Sequence, residues 1–218
     1  MIIIQKLLGT AFNPSWACQD GKRASLTVRY VYISLLRLSA GGEKTVQLGL
    51  GKVASELSVS RPTLHKALKE LVALGMVMEP YSTPSKEKFF DVVAPKVCPT
   101  EQDDSGQEQL VSEVLWGRLR IELCYQQRMV LALLICLSSW RGVVRGEGKE
   151  SLARRLGLAG RQIRNHLRAL LEGQYLVTYR GGLAGEVRRP GSIALNPEKL
   201  FEFGWWDRVD LITAKQLA

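Results

Sequence analysis

Slid along itself by 99 positions, the chain falls into register with itself: Ser25 to Val77 lies on Cys124 to Leu176 without a gap. Arg29 meets Arg128, Val31 meets Val130, and Leu35 and Leu38 meet Leu134 and Leu137. Further on, Ala54, Leu57, Leu68 and Leu71 meet Ala153, Leu156, Leu167 and Leu170. Identities are sparse, but apolar positions mostly fall on apolar ones. A periodic match of that length implies one supersecondary unit used twice. It excludes most single-core folds before any other property is weighed.

A chain of 218 residues has room for two such units, each a domain of about 100 residues with a modest core. Hydrophobic residues make up 46% and charged residues 23%, which argues against a largely disordered chain. The formal net charge of +9 suits a polyanionic partner. That charge is unevenly shared. Residues 1–107 hold 13 Lys and Arg against 10 Asp and Glu, while residues 108–218 hold 17 against 11. The second half is the more electropositive and is expected to be the stronger phosphate binder.

In the first unit, Leu26 to Ser39 places Val28, Val31, Leu35 and Leu38 on one helical face, and Ala40-Gly41-Gly42 stops the helix. Thr45 to Leu48 reads as a short strand. A short helix ends near Leu57, Ser58-Val59 make a turn, and Ser60 is a good N-cap for the next helix. Pro62 sits in that helix's first turn, where its missing N–H costs nothing. Leu64, Leu68 and Leu71 face inward and Gly75 ends the helix. A strand from Met76 returns through Lys86 to Val93, with residues 80–84 as a wing.

The second unit repeats the plan. Tyr125 to Ser139 forms the first helix, Glu150 to Leu156 the second, residues 157–160 the turn, and Arg161 to Leu171 the third, with Ile163, Leu167 and Leu170 inward. A hairpin leaves at Leu176 and returns at Ser192 to Leu195, with a glycine-rich basic tip carrying Arg188 and Arg189. Two differences imply that the helix ends differ between units: Gln174 stands where the repeat has Gly75, and Gly160-Arg161 where it has Arg61-Pro62.

Helix, turn, helix and hairpin in that order read as a winged helix-turn-helix. The expected fold is mainly α with small β-wings (α+β), in two tandem winged domains at residues 1–94 and 108–218. Residues 95–107, rich in turn formers and acids, form the linker. Glu108 to Leu123 is mixed, with room for a helix and a short strand. At Val59 to Thr63, followed by Ala67-Leu68, Leu71 and Gly75, the chain resembles the GntR-type winged helix-turn-helix over about 25 residues. That resemblance maps DNA-facing positions to Arg61, Thr63 and Lys66, with Lys69 near the backbone and His65 on the same helix. The overall layout is similar to that of plasmid replication initiators.

On the third helix of the second unit, Arg161, Gln162, Arg164, Asn165 and Arg168 form an outward face with no acid before Glu172. Gln and Asn pair with adenine edges, and Arg pairs with guanine or phosphate. Arg188 and Arg189 would lie along the minor groove or the flanking phosphates. The expected partner is therefore double-stranded DNA. The expected role is a transcriptional regulator, with a replication initiator or an architectural, protein-binding role as alternatives.

The remaining features are bland. Cys18, Cys98, Cys124 and Cys136 lack CxxC spacing, so no zinc is expected and they read as partly buried thiols. There is no P-loop, no GxGxxG after a strand and no carboxylate cluster suited to metal-dependent cleavage. No cofactor and no catalytic residue is expected. No membrane span or signal peptide is read, and a cytoplasmic, nucleoid-associated location follows. The aromatic tail, with Phe201, Phe203, Trp205 and Trp206, reads as a docking surface on its own domain or in a homodimer.

Overall fold

A computed structural model describes residues 18–19, 22–39, 45–46, 49–78, 81–82, 88–92, 105–117, 121–139, 142–180 and 192–201. The chain divides into two compact units, Met1–Glu101 and Gln102–Ala218. Both are helical with a small antiparallel sheet, an α+β arrangement.

Among the described residues the first unit begins with a two-strand hairpin, β1 (Cys18–Gln19) and β2 (Lys22–Arg23), followed by α1 (Leu26–Ser39). Next come β3 (Thr45–Val46), α2 (Leu50–Leu57), α3 (Arg61–Ala73), β4 (Tyr81–Ser82) and β5 (Lys88–Asp91). The strands pair in the order β3-β5-β4, and a bridge from Val77 to Val92 closes the base of the hairpin. Tyr81 and Ser82, expected in the wing, pair with Phe89 and Lys88, so the ladder runs further toward the tip than the sequence implied.

The second unit adds α4 (Ser105–Trp116) in front, then α5 (Tyr125–Leu137), β6 (Val143–Arg145), α6 (Lys149–Leu156), α7 (Gly160–Glu172), β7 (Leu176–Arg180), β8 (Ser192–Leu195) and α8 (Pro197–Phe201). Its strand order is β6-β8-β7, the same as in the first unit. Helices α6 and α7 sit 99 residues after α2 and α3 at both ends. The hairpins differ in length: Val77 pairs with Val92, whereas Leu176 pairs with Leu195, four residues further along by the same offset.

Helix α4 resolves the segment that had no clear period. It begins at Ser105, inside the expected linker, and buries Leu110, Val111, Val114, Leu115 and Trp116 against α5. Among its described residues the segment up to Leu123 contains no strand.

Helices α1 and α5 are the cores of their units. The period predicts one inward stripe on α1, yet every described residue from Val28 to Leu36 is buried. On α5 the buried run is Arg128 to Ile135. A helix that is apolar all round belongs at the centre of a fold, with other elements on several sides. Each of these helices carries an arginine at the matched position, and both are fully buried. Arg29 donates from Nε to the Ala24 carbonyl at 3.0 Å, and Arg128 donates from Nη1 to the Leu115 carbonyl. A buried guanidinium needs such acceptors to offset its desolvation. The pair thus ties the central helix to the chain that precedes it.

Cys124, which precedes α5, is exposed, against the expectation of a partly buried thiol. Cys136 lies in the last turn of α5, beyond the buried run; the residue reaches the surface, yet burial still pushes its thiol pKa up to about 12.

Candidate nucleic-acid interface

The outward faces of α3 and α7 are set by short turns that repeat almost atom for atom. In the first unit Ser58 adopts a left-handed φ of 54° and the Val59 N–H reaches the Ala54 carbonyl at 3.0 Å. In the second, Gly157 takes φ 66° and Leu158 reaches Ala153, also at 3.0 Å. This left-handed closure turns the chain sharply at the helix C-terminus and aims the next helix. Tyr30 of α1 donates its hydroxyl to the Leu57 carbonyl at 3.0 Å and fixes that same corner from the core side.

The inward residues are those the period predicts. Leu64, Leu68 and Leu71 are buried on α3, and Ile163, Leu167 and Leu170 on α7. Burying these two rows leaves the remaining faces to solvent.

The N-terminal ends differ in chemistry. Ser60 caps α3 by accepting from the Thr63 N–H at 3.2 Å, and the Ser60 and Thr63 hydroxyls lie 2.7 Å apart. Ala159, at the matched position, offers no side-chain acceptor to the Gln162 N–H, while the Gln162 side chain reaches back to accept from the Ala159 N–H at 3.0 Å. That half of a capping box satisfies an otherwise orphaned donor. It also occupies the amide oxygen expected to read adenine.

The C-terminal ends agree, against expectation. Gln174 keeps the left-handed backbone of Gly75, at φ 61° against 68°. Met76 and Tyr175 then make the same bond, to the Leu71 and Leu170 carbonyls, at 2.9 Å each. The closing bonds outweigh the modest strain of a side chain at positive φ. The hairpins therefore leave both helices in the same way.

On α7, Arg161, Arg164, Asn165 and Arg168 are all exposed. Spacings of three, four and seven put them on one face, about 10 Å from end to end along the helix. Arg161 with Arg164, and Arg164 with Arg168, are like-charged neighbours, each costing the isolated helix roughly 0.2–0.5 kcal/mol. Glu147, which precedes α6, is held 2.8 Å from Arg155. His166 is half-buried beside this face, and burial lowers its pKa from 6.5. On α3, Arg61, His65, Lys66 and Lys69 are exposed and Thr63 is half-buried. Arg188 and Arg189 lie outside the described residues, as do Phe203, Trp205 and Trp206 of the tail. Within α8, Leu200 is fully buried, and Lys199 stands 3.9 Å from Glu122 and 5.6 Å above the Tyr175 ring. Tyr175 donates its hydroxyl to the same carboxylate.

Sequence reasoning missed three participants. The capping use of Gln162 was legible in its place at the third position of the helix, where Gln reaches back to the backbone N–H of the cap residue. The buried Arg29 and Arg128 were signalled by recurrence at the 99-residue offset inside apolar helices. The position of the Arg61 guanidinium over Gly51 of α2, where a Cβ would stand 2.7 Å from Nη2, had no sequence signal. Among the described residues no group of His, Cys, Asp and Glu is arranged to hold a metal ion, and no helix is long and apolar enough to cross a membrane. No known protein family matches the chain, and no curated protein matches it in sequence.

Proposed function

We propose that this chain is a sequence-specific double-stranded DNA-binding regulator of transcription, a repressor, built from two tandem winged helix-turn-helix units. The observation that carries the reading is the exposed face of α7: Arg161, Arg164, Asn165 and Arg168 on one side, with like charges adjacent and no acid among them. Such a face costs the free protein stability and is offset by a polyanion. Arg and Asn are also the residues that discriminate guanine and adenine in the major groove. The first unit offers Arg61, Thr63, His65, Lys66 and Lys69 for a second groove. Arg188 and Arg189 supply flanking contacts, and the C-terminal aromatic residues a homodimer surface.

A second reading, a plasmid or phage replication initiator, is favoured by one feature. Two unlike units in one chain read an asymmetric site without a twofold axis, as direct repeats at an origin require. The test is affinity selection of fragmented host DNA at near-physiological salt, followed by sequencing. A short site overlapping promoters supports the regulator, and direct repeats beside an AT-rich stretch support the initiator. No enrichment by the folded protein overturns both and leaves a protein-binding role.

A further inference from the structure

Gly51 lies in the first turn of α2 with an ordinary helical backbone, so no left-handed φ demands glycine there. A glycine inside a helix costs stability relative to alanine. What fills the space is the Arg61 side chain, arriving from the start of α3. A Cβ on Gly51 would stand 2.7 Å from Arg61 Nη2, 3.3 Å from Cζ and 3.4 Å from Nε. The guanidinium is therefore laid across the first turn of α2, at the edge of the outward face rather than along α3.

The second unit reverses both members of the pair. At the 99-residue offset Gly51 becomes Glu150 and Arg61 becomes Gly160, and a Cβ on Gly160 would meet nothing within 4 Å. Neither matched position of the second unit carries a guanidinium, so this placement of an arginine across the preceding helix belongs to the first unit.

We infer that Gly51 is a positioning residue: it holds the Arg61 guanidinium at the corner of α2 and α3 to grip a DNA phosphate, a contact the second unit lacks. This rests on the DNA-binding reading above. A side chain turned back onto α2 is displaced from base edges, and a phosphate makes no demand on sequence.

The test uses the full chain and a labelled duplex of random sequence, titrated by fluorescence anisotropy over a range of salt. Arg61→Ala lowers the slope of log affinity against log salt by about 0.9, the value of one phosphate contact. Gly51→Ala lowers it in the same direction while Tm holds or rises, which a merely structural role would not produce. Combined with Arg61→Ala, Gly51→Ala adds nothing further. The inference is overturned if Gly51→Ala keeps the wild-type slope, or if it weakens binding equally with and without Arg61. A wild-type chain that binds no duplex overturns the DNA-binding reading itself and this inference with it.

Discussion

At the start of α3 the first unit carries Arg61 behind a serine cap, and at the start of α7 the second carries Gly160 behind an alanine. The helices that follow have the same length, the same inward leucine-rich row and the same left-handed exit. Outward, the first shows a lysine-based mixture with His65, and the second an arginine and asparagine face. The inward rows are apolar and buried in both units, and the turns keep the same closing bonds even where their residues differ. The outward residues are free of that packing constraint, and under the proposed function their differences set what each unit would touch. Lysine is a point charge suited to phosphates, whereas Arg and Asn offer paired groups in fixed geometry. Under the proposed DNA-binding function, this comparison gives the first unit an anchoring role and the second base discrimination, alongside the phosphate contacts that its greater positive charge favours.

The largest expected effect probes what the units share. Arg29→Ala and Arg128→Ala each remove a buried side chain and its bond to a backbone carbonyl, costing about 3 kcal/mol. Urea unfolding should show similar losses for both. A loss confined to one would mean that the matched arginines do different work.

Next comes what the units do not share. Arg161→Ala or Asn165→Ala should weaken binding to a selected site by about 1–3 kcal/mol and relax preference at one base pair. Lys66→Ala or Lys69→Ala should weaken all duplexes alike and reduce the salt slope. Competition titrations with point-substituted sites separate the two patterns. If the lysine variants relax base preference, the division of labour is wrong.

The helix exits provide a smaller, sharper comparison. Gln174→Gly should stabilise the second unit by about 1 kcal/mol, because glycine accepts the left-handed φ without strain. Gly75→Gln should destabilise the first by a similar amount. Equal and opposite shifts in the urea midpoint would confirm that the two exits are equivalent.

The smallest effect is a pH dependence. Burial disfavours the His166 imidazolium, so the folded chain binds that proton less readily than the unfolded one. Stability therefore falls as pH drops through and below 6.5 and is insensitive to this group above it. The first unit has buried Ala67 at the matched position. His166→Ala should flatten that part of the pH profile of unfolding, and an unchanged profile would assign it to other groups.

Much of this was legible in the sequence. The internal offset located α2, α3, α6 and α7, because their boundaries rest on local caps and a strong apolar period. The hairpin of Leu176 to Leu195 was legible for the same reason. The burial of every face from Val28 to Leu36 and from Arg128 to Ile135 was not, since periodicity reports the richest face and is silent about the others. Helix α4 was obscured because its first turn is polar and reads as linker. Gln174 misled because only the backbone, not the residue type, records a left-handed φ. The outward face of α7 was read directly, but Gln162 was assigned to that face alone, although its place at the third residue of the helix also lets it accept from the Ala159 N–H.

The most direct measurement is the affinity of the full chain for its selected duplex at one fixed salt, with wild type, Arg161→Ala and Asn165→Ala compared on matched and base-substituted sites. The account predicts that each variant loses affinity for the matched site and loses discrimination at a single position. Unchanged affinity and unchanged discrimination in both variants would contradict it, and α7 would not be the reader.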